Sequence, residues 1–106
     1  MSECSTADYV IAPQGRLDAL TASEFDQRLR ALPDGASKTV VIDLAKVTYV
    51  SSSGLRVLLI AHRRQQQGGG RLLVRHPIDK VWRVVQLCGF DQILDICQDP
   101  ALPADF

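Results

Sequence analysis

The chain has 106 residues, 46% of them apolar, and its 12 basic and 12 acidic side chains give a net charge of zero. This length and composition predict one globular domain, residues 1–106, with a core at about 8–97 and a C-terminal tail at 98–106. The charge balance argues against nucleic-acid binding, and the lack of an apolar run of roughly 18 residues argues against membrane insertion. The N-terminus does not resemble a secretory signal, so we expect a cytoplasmic protein.

The cysteines and histidines predict no metal site and no disulfide framework. Cys4, Cys88 and Cys97 are odd in number and widely spaced, without a Cys-x-x-Cys pair. His62 and His76 are not at metal-ligand spacing, and we expect no cofactor. We expect Cys88 and Cys97 to be small buried hydrophobes and His62 to be a packed, hydrogen-bonded core residue.

The first third of the chain is predicted to contain two short strands and a helix. The strands cover about 8–12 and 16–18, and their closeness predicts antiparallel pairing. Thr21 and Glu24 have the spacing of a capping box, which predicts a helix from about Ala22 to Leu32. A Pro-Asp-Gly sequence at 33–35 ends that helix.

Strands and helices alternate in the rest of the chain. The predicted elements are a strand at 38–44, a helix at about 53–67 after a short loop, a strand at 71–75, a helix from His76-Pro77 to Gly89, and a last strand or helical turn within 90–96. A strand, a crossover helix and another strand imply parallel pairing with a right-handed connection. The sequence therefore predicts an α/β fold with one mixed sheet and helices packed on it.

The most informative segment carries Ser51, Ser52 and Ser53 between a predicted strand and a predicted helix. Backbone N–H groups lack partners at a helix N-terminus, and the helix dipole is positive there. Serine is a preferred N-cap, and a phosphate there would add nearly two negative charges. The residues alone leave a helix cap and a regulatory site both open. We expect no enzyme, because no Gly-x-Ser-x-Gly motif occurs and neither histidine is placed to act as a base.

Three further side chains have two interpretations each. Asp18 and Asp43 form either a carboxylate pair or two separate strand-end residues that accept loop N–H groups. Trp82 is either a partner contact or a ring that covers the edge of the sheet.

The order of motifs along the chain resembles the STAS domain family and, within it, the bacterial anti-sigma factor antagonists. The resemblance covers roughly Tyr9 to Ile96. It rests on Asp43-Leu44 ending a strand, Val47-x-x-Val50, Ser52-Ser53-Gly54-Leu55 opening a Leu-rich helix, Gly15-Arg16-Leu17-Asp18 before the first helix, Gly69-Gly70 before a strand, and Leu87-Cys88-Gly89-Phe90. It implies a single α/β domain with a mixed sheet of four to five strands flanked by about four α-helices.

The resemblance also implies a mechanism and a site. The unphosphorylated form would bind and sequester a serine kinase that is also the anti-sigma factor and has a histidine-kinase-type ATPase fold. Phosphorylation at Ser52 would release it, and a PP2C-type phosphatase would reverse the reaction. Ser51 stands where the family often has Asp and is a rival acceptor. The expected partner-binding residues are Asp18, Thr48, Tyr49, Val50, Ser51, Ser53, Gly54, Leu55 and Arg56.

Two other functions are compatible with the sequence to different degrees. One is a constitutive STAS adaptor subunit, for example of a lipid-transport ATPase, in which the serines only cap a helix. The other, a nucleotide-binding domain or small hydrolase, lacks a supporting loop, because the glycines at 68–70 follow a helix and precede a strand. We expect a monomer or a weak homodimer.

Overall fold

The structure, a computed structural model, describes residues 7–33 and 35–97. Within these ranges the chain forms six strands and three α-helices. The elements are β1 (Tyr9–Ile11), β2 (Gly15–Leu17), α1 (Ala22–Arg30), β3 (Thr39–Asp43), β4 (Val47–Val50), α2 (Ser52–Gln67), β5 (Arg71–Arg75), α3 (Asp79–Leu87) and β6 (Asp95–Cys97), with 3₁₀ turns at Gly35–Ser37 and Phe90–Gln92. The predicted tail at 98–106, Cys4 and Asp34 lie outside the described residues.

The strands form two parallel sheets. One has four strands in the order β1-β3-β5-β6, and the other pairs β2 with β4. In the larger sheet, Val41 of β3 is paired with Val10 of β1 on one side and with Leu73 of β5 on the other. Each crossover in this sheet moves to the next strand in the same direction, so right-handed connections place the helices on one face. The main core lies between that face and the helices.

The predicted antiparallel pairing of the first two strands is wrong. β1 pairs with β3 and β2 pairs with β4, both in parallel. Gly15, at φ +80°, turns the chain out of the larger sheet, and its N–H donates to the Lys46 carbonyl at 2.9 Å. The α/β class is confirmed, but the described strands form two parallel sheets instead of one mixed sheet. The described residues contain three α-helices, where about four were expected.

The segment predicted as a loop before α2 is the strand β4. Val47 and Val50 are buried and the two residues between them are exposed, which is not the alternation of a regular strand. A bulge explains this pattern, because the β2–β4 register shifts between Gly15 and Arg16. Thr48 falls at that shift, and its hydroxyl donates to the Gly15 carbonyl at 3.3 Å.

A buried glutamine joins α2 to two other parts of the fold. Gln65 is only 4% exposed, and its Nε2 lies 2.7 Å from the Gly35 carbonyl, 2.8 Å from that of Lys38 and 3.3 Å from that of Arg71. The side-chain amide has two N–H donors, so one of them is shared between two carbonyls. Gln65 thereby fixes the end of α2 to the turn before β3 and to the first residue of β5.

The expectations for single residues have mixed outcomes. His62 is buried as expected, but its Nδ1 has no hydrogen-bond partner among the described residues, so the expected hydrogen bonding is not seen there. Cys88 is exposed, contrary to expectation, because α3 ends at Leu87 and the residue after it leaves the buried face of Val81 and Val85. Gly89 follows at φ +77°, as predicted for the end of this helix.

Candidate functional site

The candidate site lies where β2 and β4 each lead into a helix. The two strands run in parallel, so the N-termini of α1 and α2 lie at the same end of this pair. The Ser51 N–H donates to the Leu17 carbonyl at 2.9 Å, which extends the strand pairing to the first turn of α2. The sequence therefore places the serines at a helix N-terminus that is attached to a neighbouring strand.

Gly54 allows this attachment. A Cβ at this position would lie 2.5 Å from the Leu17 carbonyl oxygen, 2.9 Å from the Leu17 Cβ and 3.0 Å from the Val50 Cγ2. Distances below 3.0 Å to backbone atoms are too short for a side chain. The start of α2 can approach β2 this closely only with glycine at position 54.

The three serines have different environments. Ser51 is the N-cap, with extended backbone angles, and its Oγ accepts from the Gly54 N–H at 3.4 Å and donates to the Leu17 carbonyl at 3.3 Å. Ser52 is the first residue of α2 and is exposed, and no described residue is hydrogen-bonded to its hydroxyl. Ser53 is half-buried. Ser51 thus has a structural role, and the hydroxyl of Ser52 is accessible.

The Ser51→Ala variant tests the cap. We expect its free energy of unfolding to fall by about 1 kcal/mol, because the helix loses its side-chain acceptor. The matched Ser52→Ala variant should change that free energy by less than about 0.5 kcal/mol, since its exposed hydroxyl holds no backbone group. Urea denaturation of both variants provides the measurement. Equal destabilisation of the two variants would contradict the assignment of Ser51 as the cap.

Asp18, rather than Thr21, closes the N-terminus of α1. Its Oδ1 accepts from the Leu20 N–H at 3.0 Å and from the Thr21 N–H at 3.2 Å. The predicted capping box is not formed, since the Thr21 side chain makes no cap hydrogen bond. The Thr21 hydroxyl instead donates to the Arg16 carbonyl at 2.7 Å and accepts from the Asp18 N–H at 3.0 Å.

Asp18 also has a cationic partner. Its Oδ2 lies 3.1 Å from the Arg16 Nε. The hydrogen bond from Arg16 and the backbone N–H of Thr21 hold the pKa of this carboxyl below its ordinary value of 3.8, and slight burial opposes them. Asp18 is therefore a fixed carboxylate at neutral pH.

Arg16 was not among the predicted site residues. Its guanidinium lies 4.3 Å from the centroid of the Tyr49 ring, and the two residues are opposite each other in the β2–β4 pair. Tyr49 remains 37% exposed, so its ring is an accessible aromatic surface whose orientation is stabilised by the contact with Arg16. The alternation of β2 could have revealed Arg16, because Leu17 faces the core and the residue before it must face outward.

The predicted phosphorylation and partner-binding residues separate by burial. Thr48, Tyr49, Ser52 and Arg56 are exposed, Asp18, Ser51 and Ser53 are half-buried, and Val50, Gly54 and Leu55 are buried. The exposed residues are available for contact with a partner. The buried ones pack beneath them and hold the first turn of α2 in place. Contact with a partner stays a prediction for the whole set.

Asp43 and Asp18 have separate partners, which favours the structural interpretation of both. Asp43 accepts from the Ala45 N–H at 2.9 Å and from the Arg75 Nε at 3.1 Å. Burial raises its pKa, but the Ala45 N–H and the Arg75 guanidinium outweigh burial and leave the pKa below 3.8. Trp82 is half-buried and packs against the main core.

Metal-binding clusters and membrane-spanning helices are both absent from the part of the chain that the structure describes. Across 7–33 and 35–97, His, Cys, Asp and Glu nowhere gather in a group of three that could hold a metal ion. The helices in the same ranges include none that is long and apolar enough to cross a membrane.

The parallel α/β fold presents a serine-rich helix N-terminus beside the neighbouring strand β2. The chain belongs to the STAS domain family, since the family model described as "Mlab, STAS domain" matches residues 3–95. BtrV of Bordetella bronchiseptica, named as a candidate anti-sigma factor antagonist, is 31% identical over 78% of this chain and 72% of that protein. The anti-sigma-B factor antagonist of Listeria monocytogenes is 28% identical over 91% of this chain and 84% of that protein.

A solved structure agrees with the fold. The anti-sigma factor antagonist SpoIIAA, in its unphosphorylated form, has a TM-score of 0.69 and covers 95% of this chain and 90% of its own. Its sequence is 19% identical, so this likeness concerns the fold alone.

Proposed function

We propose that this chain is an anti-sigma factor antagonist that exchanges partners according to the phosphorylation of Ser52. The observation that carries the proposal is the exposed Ser52 hydroxyl at the first residue of α2, which no described residue engages. The names of the two curated relatives support the class of function. The unmodified chain would bind a serine kinase that is also an anti-sigma factor and so free the sigma factor.

The contacts favour Ser52 over Ser51 as the acceptor. Ser51 holds the Leu17 carbonyl and the Gly54 N–H, and a phosphate on its oxygen would break the first and crowd the second. Ser52 can accept the γ-phosphoryl group of ATP and lose its hydroxyl proton without breaking a hydrogen bond within the described residues. Modification of Ser52 therefore leaves the frame of the site intact.

The added phosphate would act on the complex and on the free chain in opposite ways. In the complex, nearly two negative charges on the contact surface bring a desolvation cost and repulsion from like charges of the partner. On the free chain, the unpaired N–H groups and the dipole at the start of α2 stabilise the phosphate. Phosphorylation therefore favours release, and a PP2C-type phosphatase would restore binding.

Ser51 in place of the family's Asp changes the charge beside the acceptor but keeps the cap. Serine and aspartate are both preferred N-caps, because both offer a side-chain oxygen to the first-turn N–H groups. The structure shows Ser51 in that role. The substitution leaves Ser52 without a directly preceding carboxylate, so the kinase would recognise the exposed surface around Thr48, Tyr49 and Arg56.

Affinity capture with the full chain tests this function. The baits are the wild type, Ser52→Ala, Ser52→Asp and, as a control for loss of a neighbouring hydroxyl, Ser53→Ala. We expect a protein with a histidine-kinase-type ATPase fold on every bait except Ser52→Asp. The purified partner with ATP should then phosphorylate the wild type at Ser52, shown by peptide mass spectrometry, and should not phosphorylate Ser52→Ala.

A constitutive adaptor is the second candidate. The capping role of Ser51 favours it, because that role is complete without any modification. If Ser52→Ala and Ser52→Asp retain the same partner equally, and that partner is a transporter ATPase subunit, the adaptor is correct and the switch is not.

A further inference from the structure

One face of α2 carries cations in line with Ser52. Ser52, Arg56, Ile60 and Arg63 are spaced by four, four and three residues, and all four are exposed. This set is called the α2 stripe below. The sequence of α2 contains no acidic side chain. The stripe therefore carries two positive charges and one apolar side chain, and it begins at the proposed acceptor.

Arg56 is the cation within reach of Ser52. Residues four apart on a helix have Cβ atoms about 5–6 Å apart and lie on the same face. Among the described residues, none forms a hydrogen bond or ion pair with the Arg56 guanidinium. Arg16, in contrast, is held by Asp18 and lies over Tyr49. Arg56 is thus free to turn toward a new anion on Ser52.

The helical register gives this neighbour to Ser52 but not to the capping residue Ser51. The residue four positions after Ser51 is Leu55, which is buried, and the one four positions after Ser53 is Val57, which is half-buried and apolar. A phosphate on Ser51 would therefore have no cation one turn further along α2. Ser53 lies three residues before Arg56 but is half-buried, so Ser52 is the exposed serine with this cation as its neighbour.

We propose that Arg56 is the intramolecular counter-ion of a phosphate on Ser52, a role that rests on the proposed phosphorylation. The planar guanidinium can donate two N–H groups to two phosphate oxygens. An anion four residues before a cation is also the favourable order on a helix. Phosphorylation then does two things, because it adds negative charge and takes the Arg56 cation away from the partner. The net charge of the α2 stripe changes from positive to about zero.

Phosphorus NMR of the full chain with phosphoserine installed at position 52 during synthesis tests the pair. The midpoint of the phosphate titration is compared in the wild type, Arg56→Gln and the control Arg63→Gln, at about 0.01 M salt. A nearby cation favours the dianion, so we expect a midpoint about 0.2–0.4 pH units higher in Arg56→Gln than in the wild type. Arg63→Gln should match the wild type, and the difference should shrink at about 1 M salt.

Two outcomes would overturn the pairing. Equal midpoints for the wild type and Arg56→Gln at low salt would show that no pair forms. An equal rise in Arg63→Gln would show a general field of the helix surface instead of a pair. No kinase or partner is present in this assay, so a negative result would refute only the Ser52–Arg56 pair. The capture experiment tests the proposed function separately. Capture of one partner by every bait would remove the function whatever the midpoints are.

Discussion

The Gly54→Ala variant should lose about 3 kcal/mol of its free energy of unfolding. The new methyl group would lie 2.5 Å from the Leu17 carbonyl oxygen, which belongs to the backbone and cannot rotate away. To relieve the contact, α2 must move away from β2, and the hydrogen bond from the Ser51 N–H to the Leu17 carbonyl must lengthen. The variant should therefore lose both stability and partner binding.

Urea denaturation followed by circular dichroism measures this effect. Ser53→Ala is the matched control, because it lies in the same helical turn and also places a methyl group there. We expect it to stay within about 0.5 kcal/mol of the wild type. A Gly54→Ala variant as stable as this control would show that the start of α2 tolerates separation from β2.

The Gln65→Leu variant should also be destabilised by about 3 kcal/mol. Leucine has a similar size, so the loss comes mainly from the carbonyls of Gly35, Lys38 and Arg71, which would no longer have the amide donor. Gln66→Leu is the control, because the neighbouring side chain is exposed. Chemical denaturation measures the free energy of unfolding of both variants. Equal losses in the two variants would contradict the role of Gln65 in binding the three carbonyls.

The Gln65→Glu variant separates donation from packing through its pH dependence. An ionised carboxyl has the same shape but no donor, and it would face three carbonyl oxygens. The folded state therefore favours the protonated form and raises the pKa of the introduced group above its unfolded value. A group with a raised pKa supports folding below the unfolded pKa and loses that support as pH rises. This variant should be least stable at neutral pH and recover relative to the wild type on acidification.

Much of the second half of the chain could be predicted from local pattern. The continuous apolar run of β3 and the glycines after α2 gave those elements to within a residue or two. The strand–helix–strand order predicted parallel pairing, because right-handed crossovers leave few alternatives. The position of Ser51 to Ser53 at a helix N-terminus could also be predicted, because the apolar periodicity of a helix begins directly after them.

The β2–β4 pair could not be predicted, because nothing local selects its partner. A strand was predicted at about 16–18, but β2 has only three residues and β4 only four, so neither carries a pattern that selects the other as its partner. The bulge at Thr48 also removes the alternation that β4 would otherwise have. Similarly, Gln65, Gln66 and Gln67 are alike in sequence, and only the tertiary fold buries the first of them.

The dependence of the first turn of α2 on Leu17 means that the three serines acquire their arrangement only in the folded domain. A peptide of residues 47–56 would contain all three serines but would lack the Leu17 carbonyl that holds Ser51. Helices this short are also unstable on their own in water. An enzyme that requires the folded arrangement of these serines would therefore leave nascent or unfolded chains unmodified. Only molecules that have completed folding would be its substrates.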